Sequence, residues 1–160
     1  MDIQINHVAV GSLMRVARTM LAATSMAIST MAFAQQDPEL AQRLGADAFG
    51  MRSYVLVVLK TGPRPMPPGK ERDEMFKGHF ANIQRLAEAG KLIVAGPTDG
   101  ADGWRGIFVL AVPAIDEAKA LVATDPVIAR GEMVAEYHKL YSTAGLMAIP
   151  DLHKKLVKPR

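Results

Sequence analysis

The sequence predicts an α+β protein in which four strands and two helices follow one another as βαββαβ. Two segments, 52–59 and 104–112, are apolar and β-branched on both pleat faces, which is typical of buried central strands. Two others, 70–89 and 115–124, carry apolar residues at helical spacing. This is the split βαβ, or ferredoxin-like, order, in which the sheet is antiparallel and both helices cover one face.

The first half of the domain consists of a strand, a long loop and a helix. The loop at 60–69 contains six prolines and glycines, so it is neither helix interior nor central strand. The helix at 70–89 stops before Gly90, and glycine adopts the left-handed conformation that closes a helix at little energetic cost.

Similar residues mark the ends of the helix and strands in the second half of the domain. Asp125 precedes Pro126, which disfavours helical backbone at Asp125 and so ends the second helix. The residues after Gly131 are predicted to form the last strand, in which side chains alternate between two faces and Glu136 and His138 share one of them. The predicted bounds are 91–95, 104–112 and 132–141 for the second, third and fourth strands, and 115–124 for the second helix.

Residues 1–34 have the features of a bacterial secretory signal peptide. Arg15 and Arg18 form a positive region, an apolar stretch follows, and Ala32-Phe33-Ala34 has the small-x-small form of a cleavage site. The apolar run is shorter than the about 20 residues that a membrane span needs, so an uncleaved anchor is the second interpretation. Met14 is an alternative first residue, and if translation starts there, residues 1–13 come from an over-extended gene prediction. We expect a periplasmic or secreted protein.

The folded domain is predicted over 51–142, between an alanine-rich spacer at 35–50 and a locally basic tail at 143–160. The chain has 19 Lys and Arg against 16 Asp and Glu, mixed along its length, which does not indicate nucleic-acid binding. It has no cysteine, so disulfides and thiolate metal sites are excluded. No stable membrane insertion is expected once the leader is cleaved.

His79 is the most informative candidate residue, because it falls within the apolar face of the first helix. A buried imidazole costs free energy unless its nitrogens are satisfied, so His79 is either a well-bonded core histidine or the floor of a site. The other residues that helical periodicity assigns to this face are Met75, Phe76, Phe80, Ile83, Leu86 and Ala87.

Other candidate binding residues lie near the ends of the later strands. Gly96 and Pro97 begin the expected rim of a pocket, since glycine lets backbone approach a ligand. Trp104 is a candidate for stacking on an aromatic substrate, and Arg105 for pairing with an anionic group; a sheet-edge anchor and a solvated arginine are the alternatives. His138 is a second candidate site histidine.

The sequence predicts no cofactor and no metal. It contains no Walker loop, no GxGxxG after a strand, no GxSxG and no HExxH. Two candidate histidines, His79 and His138, without cysteine and without a close H-x-x-x-H spacing are weak evidence for a metal site. Because the strands are apolar on both faces, the face without helices needs a cover, and a second copy of the chain is the simplest one.

From Tyr54 to Leu140 the chain resembles the YCII-related family. The resemblance covers most of the mature chain. It rests on Tyr54-Val55-Leu56-Val57, His79, Leu86, Gly90, Leu92, Ala95-Gly96-Pro97, Gly106-Ile107-Phe108-Val109, Glu117-Ala118, Asp125-Pro126 and Gly131.

The resemblance implies a ferredoxin-like fold assembled as a homodimeric α+β barrel, with a pocket between sheet and helices. It also implies that His79 and Asp125 form a catalytic pair in that pocket. Some relatives are dehydrochlorinases or lyase-like enzymes. The leader and the basic tail depart from the family pattern, as does the end of the last strand, Glu136 to Tyr141.

These observations leave three functions open. In the first, His79 is a general base that Asp125 orients, acting on a small molecule. In the second, the same pocket binds a ligand without turnover. In the third, the chain is a dimeric scaffold and His79 is a satisfied core residue. Asp125 has its own structural alternative, as the residue that forms an Asp-Pro turn with its side chain on local backbone.

Overall fold

The computed structural model describes residues 36–158. The secretory leader predicted over 1–34, with its alternative start at Met14, lies outside the described residues. Within them, four strands form one antiparallel sheet in the order β2-β3-β1-β4. The elements are α1 Pro38–Leu44, β1 Met51–Thr61, α2 Lys70–Glu88, β2 Leu92–Pro97, β3 Trp104–Leu110, α3 Ile115–Val122, α4 Pro126–Ala129, β4 Met133–Thr143 and α5 Ile149–Leu156.

The predicted α+β class and the βαββαβ order are confirmed. The sheet has the ferredoxin-like topology of the dimeric α+β barrel class, with α2 and α3 each following a strand of the sheet. β1 and β4 are longer than predicted, at 11 residues each. They pair along their whole length, from Met51 opposite Thr143 to Thr61 opposite Met133. Because the pairing is continuous, each strand extends beyond the apolar residues from which the sequence predicts it.

The main core lies between the sheet and the helices. Alternate residues of β1 point into it, and α2 and α3 cover them with their apolar faces. Phe108 and Leu110 contribute from β3. The fully buried members from the strands and helices include Val55, Val57, Leu86, Leu110, Ala118 and Val122.

The opposite face of the sheet is partly covered by the chain itself. Buried Tyr54 and Ile93 form a second cluster there, against which Leu146, Met147 and Ile149 pack. The Tyr54 hydroxyl donates to the Thr143 carbonyl at 3.0 Å. We expected a second copy of the chain to cover this face, and residues 143–160 to form a basic tail. Residues 144–156 form a 3₁₀ turn and α5, and the apolar side chains at the start of this segment pack on this surface, whereas Leu152 and Leu156 remain exposed.

The residues before β1 form a short helix with defined ends. The Asp37 side chain caps α1 by accepting from Leu40 N–H at 2.9 Å, and Gly45 closes it in the left-handed conformation. Arg52 of β1 donates to the last helical carbonyl, that of Leu44, at 2.9 Å. No residue of α1 is buried, so these polar contacts hold it more than packing does.

Candidate active site

His79 lies on the face of α2 that packs against the sheet. The buried residues of α2 recur at helical spacing: Met75, His79, Asn82 and Leu86. Phe80, which periodicity assigns to the same face, is 64% exposed. The helix is therefore rotated relative to the prediction, and a polar residue, Asn82, enters the buried face beside His79.

Gly78 lets α2 come close to the segment that carries Asp125. A Cβ atom at Gly78 would lie 3.0 Å from Cγ of Pro126, closer than ordinary van der Waals contact. Asp125 has the extended backbone that a following proline favours, which ends α3 and turns the carboxylate toward α2. Two local signals, a small residue and an Asp-Pro step, thus bring the His79 and Asp125 side chains together.

His79 and Asp125 are in direct contact. The distance from His79 Nδ1 to Asp125 Oδ2 is 2.8 Å, and the two side chains are 9% and 1% exposed. The other carboxylate oxygen, Oδ1, accepts from Val127 N–H at 3.1 Å and so caps α4. Asp125 is therefore both the turn residue of the structural alternative and the partner of the histidine.

A polar network that reaches the same oxygen of Asp125 as His79 does helps to hold the carboxylate in place. Asn82 Nδ2 donates to Asp125 Oδ2 at 3.3 Å. The Asn82 carbonyl oxygen accepts from Arg85 at 2.7 Å, and Arg85 also contacts the Thr124 hydroxyl at 2.9 Å. Because the Asn82 oxygen faces these groups, its NH₂ is turned toward the carboxylate. Sequence reasoning missed Asn82, although its i+3 spacing from His79 places both on one helix face.

The contact with Asp125 determines which nitrogen of His79 carries the proton. An ionised carboxylate only accepts hydrogen bonds, so the neutral ring donates from Nδ1 and keeps a lone pair on Nε2. Nε2 has no hydrogen-bond partner among residues 36–158. It lies on the side of the ring away from Asp125, and His79 lines an open cavity.

Three phenylalanines surround the imidazole. Phe76 meets it edge-on with ring centroids 6.0 Å apart, Phe80 is tilted at 5.5 Å, and Phe108 of β3 is stacked at 6.1 Å. These rings restrict rotation of the imidazole and give the site apolar walls.

The cavity beside His79 has a volume of about 500 Å³, in the range of small-molecule sites. It lies between α2 and the ends of β2 and β3. Of the residues predicted to form a site, His79, Gly96, Pro97 and Arg105 line it. The remaining lining residues are Leu59, Phe76, Phe80, Ile83, Ala95, Thr98, Gly106, Phe108 and Met133.

Two predicted site residues lie elsewhere. Trp104, at the start of β3, is 38% exposed and is not part of the cavity wall. His138 is exposed and stands opposite Leu56 in the β1–β4 ladder. Leu56 packs with Tyr54 on the sheet face away from the helices, so His138 and His79 are on opposite faces. The sequence places His138 and Glu136 on one face of the last strand, but it does not show which face of the sheet the helices cover.

A second buried carboxylate, Glu132, stands next to the cavity and was not singled out from the sequence. It accepts from Met66 N–H at 2.6 Å and from Arg72 at 3.0 Å, while Arg105 lies 3.9 Å away. Burial alone raises the pKa of Glu132, but these hydrogen bonds and the charges of Arg72 and Arg105 outweigh it and hold the pKa below its usual value. The contact with Met66 also ties the proline-rich loop to the start of β4.

Residues 36–158 contain no group of three or more histidine, aspartate or glutamate side chains placed to hold a metal ion. Over the same residues, no helix combines the length and the apolar character needed to cross a membrane.

A family model described as the YCII-related domain matches residues 53–138, which includes most of β1, all of α2, both partners of the histidine–aspartate contact and the first half of β4. No curated protein matches the chain. Because the match covers more than half of the 160 residues, the chain belongs to the YCII-related family.

Proposed function

We propose that this chain is an exported, homodimeric protein that binds a small organic molecule in the cavity and moves a proton on it with His79. The observation that carries the proposal is the 2.8 Å contact between His79 Nδ1 and Asp125 beside an open cavity. A histidine that served packing alone does not need an empty space of about 500 Å³ next to its second nitrogen.

The chemistry that fits this arrangement is general acid–base catalysis. Asp125 keeps the proton on Nδ1 and stabilises the positive charge that the ring gains when Nε2 takes a proton. If that proton comes from a carbon next to a carbonyl, the electron pair left behind can expel an anion, such as chloride, from the adjacent carbon. An elimination of this lyase or dehydrochlorinase type needs one positioned base and a water-poor site, and the phenylalanine walls favour both.

Export and dimerisation rest on other features. The leader pattern at 1–34 supports passage to the periplasm or outside the cell. The sheet face away from the helices supports a homodimer, since residues 144–156 cover the Tyr54 cluster while Val134 on β4 remains 43% exposed.

The decisive experiment separates catalysis from binding. Wild type and His79→Asn are screened by thermal shift against small phenols, lactones and carboxylic acids, and each binder is then incubated with enzyme in D₂O. A general base exchanges the acidic C–H of a bound compound for deuterium, which ¹H NMR reports directly. We expect exchange with wild type and none above background with His79→Asn.

The matched control is His153→Asn, because His153 is an exposed residue of α5 that does not line the cavity, and its replacement leaves exchange unchanged under the proposal. Binding without exchange would instead identify a non-catalytic ligand-binding module. An absence of any binder would leave the dimeric scaffold, in which the buried His79 only stabilises the fold.

A further inference from the structure

The polar groups of the cavity are few and are carried by different elements of its wall. Among the lining residues within the described chain, only His79, Thr98 and Arg105 have polar side chains. His79 stands on the α2 wall with its partner Asp125 behind it. Thr98 and Arg105 stand together at the β2–β3 end, where Thr98 N–H donates to the Arg105 carbonyl at 3.3 Å.

Arg105 supplies a positive charge that Glu132, shared with Arg72, compensates only in part. The nearest carboxylate, that of Glu132, lies 3.9 Å from its guanidinium, beyond hydrogen-bond distance. Both oxygens of Glu132 are already bonded, one to Arg72 and the other to Met66 N–H. Two guanidinium groups therefore share one carboxylate, and Arg105 is the one that faces the cavity.

Thr98 adds an unused hydrogen-bonding group. Its Oγ1 is the one buried side-chain polar atom without a hydrogen-bond partner that the structure shows within residues 36–158. A buried hydroxyl without a partner costs free energy, and such a group is expected to have one in the functional state. Thr98 belongs to the cavity wall, as Arg105 does, and the backbones of the two residues are hydrogen-bonded to each other.

We infer that the ligand is an organic carboxylate, bound at its charged end by Arg105 and Thr98, with a flat apolar body between the phenylalanines. The inference rests on the proposed small-molecule cavity and adds the class of molecule that fills it. The planar fork of a guanidinium matches a carboxylate in two-point geometry, and the hydroxyl donates to one of the same oxygens. Phe76, Phe80 and Phe108 favour an aromatic or conjugated body, which extends toward His79 Nε2.

The test uses acids and their neutral amides as matched probes: benzoate with benzamide, and cinnamate with cinnamamide. Dissociation constants are measured by NMR titration of the full-length mature protein. We expect each acid to bind at least about tenfold more tightly than its amide, because only the acid gains the charge-assisted contact with Arg105.

Variants assign the preference to residues. Arg105→Gln should remove the preference for acids and leave the affinity for amides within about twofold, because it deletes the charge alone. Arg105→Lys keeps the charge beside Glu132 but lacks the fork, and should retain part of the preference. Thr98→Val, of nearly the same shape, should weaken acid binding by about threefold. Arg130→Gln is the control, since Arg130 is half-exposed, pairs with Glu71 and is absent from the cavity wall.

Acids and amides that bind equally well would overturn the carboxylate assignment and leave the proposed cavity function standing. A preference for acids that survives Arg105→Gln would overturn the residue assignment. An acid preference without proton exchange would remove the proposed catalysis while the carboxylate site stands. If none of the four probes binds although other compounds of the screen do, the inference fails and the small-molecule proposal stands.

Discussion

Asp125 performs two tasks because its two oxygens face different partners. Oδ1 caps α4 and Oδ2 holds His79. A carboxylate that is 1% exposed needs several donors to offset the loss of water, and here Val127 N–H, Asn82 and His79 provide them. The contact between His79 and Asp125 thus uses a residue that the fold already requires as the N-cap of α4.

The interaction between His79 and Asp125 is measurable by a double-mutant cycle. His79→Ala leaves the buried carboxylate with one donor fewer, so we expect it to lower the free energy of unfolding by about 2–4 kcal/mol. Asp125→Asn preserves an N-cap and should cost less. Urea unfolding of both single variants and the double variant should give a coupling energy of about 1–3 kcal/mol. Purely additive effects would show that the contact does not stabilise the fold.

The lowered pKa of Glu132 predicts that the free energy of unfolding depends on pH. Its pKa in the folded protein is below the usual value of 4.5, so its charged form stabilises the native state above that pH, and this stabilisation is lost as the pH falls through the lower, folded value. Wild type should exceed Glu132→Gln in unfolding free energy at about pH 7, and the difference should shrink toward about pH 3. Urea unfolding at both pH values measures it, with the exposed Glu136→Gln as the control. A constant difference would contradict the assignment.

At the scale of elements, the floor of the cavity depends on the close approach of β2 and β3. A Cβ atom at Gly106 would lie 2.8 Å from the Gly96 carbonyl oxygen, whereas one at Gly96 would meet nothing within 4 Å. Neither glycine has a positive φ, so the difference between the two positions is one of space.

This pair offers a matched test of the approach. Gly106→Ala should destabilise the protein by about 1–3 kcal/mol, since backbone must move to admit the methyl group. Gly96→Ala should change stability by no more than about 0.5 kcal/mol. Thermal or urea unfolding of both variants compares them. Equal effects would mean that the strands separate easily and that the cavity floor is not rigid.

At the scale of the molecule, the two faces of the sheet have different tasks. One carries the helices and the cavity, and the other is divided between the cover formed by residues 144–156 and a remaining surface on β4. Val134, Glu136 and His138 stand on that surface, opposite Lys60, Val58 and Leu56. This is where a second copy has room to pack.

The proposed homodimer is tested by sedimentation equilibrium. We expect a dimer for wild type and a shift toward monomer for Val134→Glu, which introduces an unpaired charge beside Glu136 into the interface. Ala120→Glu is the matched control, because Ala120 is exposed on α3 in the helical layer. A monomeric wild type, or equal behaviour of the two variants, would exclude this face as the interface.

Local signals were sufficient for the element order and for the inward position of His79, whereas Asp125 was expected as its partner only from the family resemblance. Apolar runs, Gly90 and the Asp125-Pro126 step depend only on neighbouring residues, so the sequence predicts them well. The rotation of α2 was not predictable in the same way, since Asn82 is buried only because Asp125 and Arg85 bond it. The cover formed by residues 144–156 was missed for a similar reason, because it needs the Tyr54 surface to exist first.

The sequence by itself determined the fold class and the inward position of His79, because periodicity and turn chemistry act over a few residues, and its motifs carried the family resemblance. Only the tertiary structure decided that His138 stands away from the cavity, that Thr98 and Arg105 stand together within it, and that Glu132 is buried. Those facts depend on strand register and on which sheet face the helices cover, and both arise from contacts between residues far apart in the chain.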